Sequence, residues 1–135
     1  MRNPFFQQVI LISFICVGTA NCTSLEKPPT EGLTTKQKMD RVMTEMTQLI
    51  GDASCTDNKQ CASLAIGAKP CGGPRSYRVY STVNTDAQKL TKLSQQFKSL
   101  NKQYNRESGL MSDCMMVMPP PVACINNTCQ VTQTQ

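Results

Sequence analysis

The chain contains eight cysteines and no histidine among its 135 residues. A cysteine content this high is typical of proteins that fold in an oxidising compartment, where disulfide bonds add the stability that a small core lacks. Histidine is the usual general base and the commonest metal ligand, so its absence removes most catalytic and zinc-binding schemes. Together the two observations predict an exported, disulfide-stabilised protein that is not an enzyme.

The N-terminus has the pattern of an export signal. Arg2 precedes an unbroken run of apolar or small residues over positions 9–20, which is too short to span a bilayer but suits the core of a signal peptide. Residues 18–20 (Gly-Thr-Ala) fit a standard cleavage site, whereas residues 19–22 resemble a bacterial lipobox with Cys22 as the lipidated residue. Asn21 departs from the lipobox, where Gly, Ala or Ser is usual. We therefore predict a signal peptide over residues 1–22, of lipoprotein type or standard.

The number of cysteines favours the lipoprotein alternative. Cys16 would leave with the signal, and a lipidated Cys22 leaves six cysteines that can all pair: Cys55, Cys61, Cys71, Cys114, Cys124 and Cys129. A free Cys22 would add an odd thiol to an oxidised protein. Their spacing does not determine which of the six pair with each other. In this interpretation the protein contacts the membrane only through the lipid on Cys22.

Composition and periodicity predict a flexible tether followed by one α+β domain. Residues 23–34 are polar and contain two prolines and a glycine, so they should be extended. In the predicted domain, residues 35–135, apolar residues recur at helical spacing over 35–53 and 85–107, with Asn84 or Thr85 as the cap of the second helix. We expect both apolar stripes to pack within the domain.

Alternating and apolar runs predict the strands. Residues 62–66 and 77–83 alternate, and residues 113–118 are apolar on both faces, as in a buried strand. Residues 123–131 predict a hairpin whose Asn126-Asn127 turn would place Cys124 opposite Cys129, where a local disulfide is one possible pairing. The predicted fold is therefore two helices packed on a small, mainly antiparallel sheet and joined by up to three disulfides.

The charge pattern indicates ordinary solubility rather than nucleic-acid binding. The formal net charge is +5, no block of Lys or Arg occurs, and tryptophan is absent. Nucleic-acid binding would call for a basic cluster with stacking aromatic residues. The cations of the second helix fall off its apolar stripe without forming one face, and we interpret them as solvated surface: Lys89, Lys92, Lys98, Lys102 and Arg106.

Sulfur and carboxylate groups were considered for metal binding and catalysis. The cysteines lack the C-x₂-C spacing of zinc sites. A second sulfur-rich group has soft ligands that select Cu(I): Met111, Cys114, Met115, Met116 and Met118. In the predicted strand, however, Met115 would point away from Met116 and Met118, and burial would explain these side chains without a metal. Asp57 and Asp113 could form a carboxylate pair, but a turn and a strand start explain them equally well. We predict no catalytic residue, metal or cofactor.

One loop combines rigidity with basic charge. Proline and glycine bound residues 69–75, Cys71 can fix the loop, and a basic residue lies at each end; apart from Cys71 its residues are Lys69, Pro70, Gly72, Gly73, Pro74 and Arg75. Inhibitors stabilised by disulfides present such loops, because preorganisation lowers the entropy lost on binding. The alternative interpretation is that Gly72 and Gly73 only permit a sharp corner.

A series of motifs resembles a group of small, exported, cysteine-rich bacterial proteins of unknown function, many of them lipoproteins. The motifs are C-x₅-C, G-A-K-P-C-G-G-P, S-Y-x₂-Y-S, G-L-M-S-x-C and C-x₄-C, and they extend from Cys55 to Cys129. The resemblance implies envelope location and architecture, and no activity. The leading expectation is a non-enzymatic module that binds another protein through the 69–75 loop, with inhibition of the partner as one form of this function. The alternatives are a structural envelope lipoprotein whose helix stripes pair with other chains, and a Met/Cys copper-binding protein.

Overall fold

The computed structural model describes residues 32–132, so the predicted signal peptide, Cys22 and most of the tether lie outside the described residues. Two helices, four strands and one 3-10 turn follow in chain order: α1 (Thr35–Ile50), the 3-10 turn (Asn58–Gln60), β1 (Cys61–Ile66), β2 (Ser76–Ser81), α2 (Ala87–Glu107), β3 (Val122–Ile125) and β4 (Thr128–Val131). The predicted α+β class is confirmed. None of the helices in residues 32–132 has the length and apolar character needed to cross a membrane.

Each helix begins where a polar side chain satisfies its free backbone N–H groups. The Thr34 hydroxyl accepts a hydrogen bond from Gln37 N, and Gln37 Oε1 accepts one from Thr34 N, which completes a capping box at α1. At α2 the cap is Asp86, whose Oδ1 accepts from Lys89 N at 2.9 Å. The predicted cap at Asn84 or Thr85 was wrong, because Asn84 instead donates through Nδ2 to Ser54 O.

The core forms between the apolar stripes of α1 and α2 and one side of β1 and β2. Its buried members are Met39, Val42, Met46, Ile66, Leu90, Leu93 and Phe97. Full burial of a large apolar side chain stabilises a fold by about 1.5–3 kcal/mol. The prediction that both helix stripes pack within the domain is confirmed.

The four strands form two separate hairpins, not a single sheet. β1 pairs antiparallel with β2, and β3 pairs antiparallel with β4. The second hairpin turns at Asn126 and Asn127, which both adopt positive φ (50° and 61°). Cys124 lies opposite Cys129 in its register, as the sequence predicted.

Three disulfides join distant parts of the chain: Cys55–Cys124, Cys61–Cys129 and Cys71–Cys114. The local Cys124–Cys129 bond does not form. The two opposed cysteines of the β3–β4 hairpin instead bond to Cys55, in the segment that joins α1 to β1, and to Cys61, the first residue of β1. Backbone hydrogen bonds reinforce this docking, since Cys55 N donates to Asn127 O and Cys129 N donates to Ala53 O, both at 2.9 Å.

The strand predicted at residues 113–118 was wrong. This segment has no regular secondary structure, and the exposed fractions are 69% for Met115, 83% for Met116 and 67% for Met118. Cys114 has a positive φ of 55°, which interrupts an extended strand, and its side chain is bonded to Cys71. Three prolines follow at 119–121 and lack the N–H that a strand partner needs. The apolar composition of residues 113–118 does not by itself show that a positive φ and the following prolines interrupt a strand.

Candidate binding surface

The 69–75 loop is the connection between β1 and β2, closed by its own backbone. Lys69 N donates to Gly73 O at 3.1 Å, Gly72 N donates to Lys69 O at 3.0 Å, and Arg75 N donates to Ile66 O at 2.9 Å. Gly72 and Gly73 have φ of 102° and 74°, a conformation that other L-residues adopt only with strain. The glycines therefore do form the sharp corner, and the corner is held rigidly at the surface.

A polar network fixes the start of this loop on α2. Asn101 is fully buried, and its Oδ1 accepts from Ala68 N at 3.0 Å, while its Nδ2 donates to Asn105 Oδ1. Asn105 Nδ2 donates to Ala68 O at 2.9 Å. Both backbone polar groups of Ala68 are thereby satisfied by one helix face. Sequence reasoning missed these two asparagines; their i, i+4 spacing beside the apolar stripe was the available signal.

The irregular 110–118 segment is fastened to the loop at two points. One is the Cys71–Cys114 disulfide. The other is Lys69, whose Nζ forms a salt bridge with Asp113 and donates to Met115 O at 2.8 Å. The Lys69 hydrogen bond lowers the pKa of the Asp113 carboxyl, with further help from Met115 N–H. Lys69 was predicted as a basic group for a partner, but its side chain is only 15% exposed and is used within the chain.

Basic groups that remain available come from the loop and from α2. Arg75, Lys102 and Arg106 are exposed and form no salt bridge with any residue between 32 and 132. Lys102 and Arg106, one helical turn apart, line a cavity of about 530 Å³ against the loop. The sequence predicts Lys102 and Arg106 only as solvated surface, because the position of the loop beside α2 cannot be seen in it.

Apolar side chains complete the same surface. Met115 and Met116 line a second cavity, of about 330 Å³, on the loop residues 71–74. Met111 is 95% exposed and Leu110 44% exposed. We call the 69–75 loop, the 110–118 segment, Lys102 and Arg106 the loop surface. The loop surface combines exposed methionine side chains with basic side chains that form no salt bridge among the described residues. Its backbone is cross-linked by the Cys71–Cys114 disulfide.

The two carboxylates considered for catalysis each have a local structural partner. Asp57 caps the 3-10 turn by accepting from Lys59 N at 2.7 Å, and Asp113 pairs with Lys69. The Sγ atoms of Cys55, Cys61 and Cys129 lie within 4.8 Å of one another. In the oxidised state these sulfurs are in disulfide bonds and offer no thiolate to a metal.

Comparisons with protein-family models, with curated proteins and with solved structures gave no match to this chain.

Proposed function

We propose that this protein is an exported, non-enzymatic module of the bacterial cell envelope that binds another protein through the loop surface. The observation that carries the proposal is the double fastening of the exposed 110–118 segment to the 69–75 loop, by Cys71–Cys114 and by Lys69. A surface ordered before binding loses less entropy when a partner docks. A rigid loop presented at the surface is best suited to inhibiting the partner.

The chemistry of the loop surface indicates the kind of partner. Arg75, Lys102 and Arg106 favour an acidic surface, since complementary charge speeds association and fixes orientation. The exposed methionines of the same surface are flexible and polarisable, and they adapt to apolar contacts. Arginine is also enriched among the residues that contribute most to protein–protein binding. We therefore expect a partner with acidic groups around an apolar contact.

The structural-lipoprotein alternative receives less support from the fold. It would use the helix stripes to pair with other chains, yet the large side chains of both stripes are buried against each other within this chain. The copper alternative gains a specific observation, the exposure of the methionines.

Charge reversal at Arg75 tests the binding proposal. We expect Arg75→Glu to lower recovery of the partner by about tenfold in quantitative pull-downs from the envelope fraction. The control is Lys92→Glu, the same charge change at an exposed position near the other end of α2. A protein recovered with wild type and Lys92→Glu but depleted with Arg75→Glu supports the proposal. Equal recovery by all three proteins contradicts it.

Export and lipidation are tested by the intact mass of the unreduced protein isolated from the envelope. We expect the mass of a polypeptide that begins at Cys22 and carries lipid, with no site for a thiol reagent, because the six other cysteines of the mature chain are paired. Cys22→Ser should lose the lipid mass and leave the membrane fraction. A wild-type mass that starts at Asn21 and gains one thiol adduct would contradict lipidation and leave export intact.

A further inference from the structure

The methionines of the 110–118 segment have no packing role that explains them. Met39 and Met46 on α1 are buried, as is usual for this residue, whereas Met111, Met115, Met116 and Met118 are between 67% and 95% exposed. The buried strand that would have accounted for them does not exist. A flexible, oxidisable, apolar side chain repeated at the surface within eight residues therefore needs another reason.

Thioether sulfur is a soft ligand that selects Cu(I) over harder cations. Thiolates are the usual competitors for this ion, but all six cysteines between residues 32 and 132 are paired in disulfides. In an oxidising compartment, methionine is thus the soft ligand that remains available in the described part of the chain. The absence of histidine from the sequence leaves the thioethers without a competing imidazole.

The structure brings two of the thioether-bearing residues to one cavity. Met115 and Met116 line the same cavity of about 330 Å³, beside the Cys71–Cys114 disulfide. The bond from Lys69 Nζ to Met115 O holds the backbone of this pair. Met118 follows two residues later in the chain, and Met111 lines a separate cavity of about 230 Å³.

The positive charge at the anchored end of the segment is neutralised. Lys69 is bonded to this segment, and Asp113 on the same segment neutralises it. The Met115 carbonyl oxygen accepts a hydrogen bond from Lys69, so the negative end of the carbonyl dipole points towards the lysine. The cation would therefore not approach an unpaired ammonium at the anchored end of the site.

We propose that the 110–118 segment binds one cuprous ion through the thioether sulfurs of Met115 and Met116, with Met111 and Met118 completing the set. This inference goes beyond protein binding and does not depend on it. It names a soft-metal site on the same surface, with no free cysteine among its ligands.

The test measures Cu(I) affinity by competition with the chromogenic chelator bicinchoninate, with ascorbate keeping the copper reduced. The protein is purified without reductant and its free thiols are blocked with N-ethylmaleimide, so that a free Cys22 thiol cannot bind the ion. We expect one equivalent of Cu(I) per chain. The variant Met115→Leu/Met116→Leu is expected to weaken binding by about tenfold or more.

Two controls separate a site from non-specific uptake and from misfolding. Met43→Leu changes a partly buried methionine of α1 and should leave the affinity unchanged. Ag(I), a soft monovalent ion that needs no reductant and is added without ascorbate, should be bound by wild type and Met43→Leu and lost by the Met115/Met116 variant. Far-ultraviolet circular dichroism should be the same for all three proteins. The proposal is overturned if wild type binds no Cu(I) in competition, or if the Met115/Met116 variant binds as tightly as wild type.

Failure of this proposal can be distinguished from failure of the partner proposal. Leucine preserves the apolar character of the surface, so Met115→Leu/Met116→Leu should retain the protein partner while losing copper. Arg75→Glu should do the reverse. A variant pair that loses both properties together would contradict the independence of the two sites.

Discussion

Replacing Cys55, Cys61, Cys124 and Cys129 together with alanine is expected to unfold this protein at 37 °C. In the chain-entropy model a disulfide that closes a loop of 69 residues contributes about 4 kcal/mol. The second bond, Cys61–Cys129, then closes a further loop of only some ten residues and adds about 3 kcal/mol. Loss of about 7 kcal/mol consumes most of a typical net stability of about 5–15 kcal/mol.

The same arrangement predicts non-additive losses from removing one disulfide at a time. With either bond present the long loop stays closed, so Cys55→Ala/Cys124→Ala and Cys61→Ala/Cys129→Ala should each lose about 3 kcal/mol. The four-alanine variant should therefore lose more than the sum of the two. Urea denaturation followed by circular dichroism measures all three losses. A strictly additive or smaller combined loss would contradict the paired long-loop arrangement.

A crossed variant provides the matched control for this pairing. Cys55→Ala/Cys129→Ala also removes two cysteines, but takes one from each bond and leaves Cys61 and Cys124 without their partners. It should show two thiols reactive towards N-ethylmaleimide and the lower stability, unless those two cysteines join. Cys55→Ala/Cys124→Ala should show no added reactive thiol. Two added reactive thiols in both variants would indicate the local Cys124–Cys129 bond.

The sequence carried the elements that depend on local periodicity. Three features could be predicted because each depends on residues a few positions apart. They are the apolar stripes of α1 and α2, the alternating pattern of β1 and β2, and the Asn126-Asn127 turn. The register that places Cys124 opposite Cys129 followed from the turn alone. Disulfide pairing did not follow, since it depends on how the β3–β4 hairpin docks on the segment after α1.

Only part of the loop surface could be predicted from the sequence. Loop rigidity could be inferred from Pro70, Gly72, Gly73 and Pro74, but its neighbours depend on the tertiary fold. Residues 113–118 illustrate the difficulty, since apolar composition suggested burial whereas the disulfide at Cys114 and the prolines after the segment leave it at the surface. The contribution of Lys102 and Arg106 likewise depends on where α2 lies.

Gly67→Ala is expected to lower the free energy of unfolding by about 3 kcal/mol, because two penalties act at once. Gly67 has φ of 72°, and a left-handed conformation penalises an L-residue by about 1–2 kcal/mol. An added Cβ would also lie 2.6 Å from Asn101 Oδ1, which accepts from Ala68 N. Displacing this buried hydrogen bond adds about 1–3 kcal/mol.

Gly73→Ala is the matched control for the backbone penalty. Gly73 has nearly the same φ, 74°, but an added Cβ would meet no atom within 4 Å. We expect Gly73→Ala to lower stability by only about 1–2 kcal/mol, as measured by urea denaturation. Equal losses from the two substitutions would show that the contact with Asn101 contributes nothing.

A double-mutant cycle isolates the contact itself. Asn101→Ala removes the nearest of the three side chains that the new Cβ would meet, while leaving Ala68 N without its buried acceptor. In that background Gly67→Ala should lower stability by little more than Gly73→Ala does, so the coupling energy should be about 1–2 kcal/mol. Because the Asn101 network holds the start of the 69–75 loop on α2, Gly67→Ala should also weaken partner binding. Gly67→Ala that binds the partner normally would show that the loop does not require this anchor.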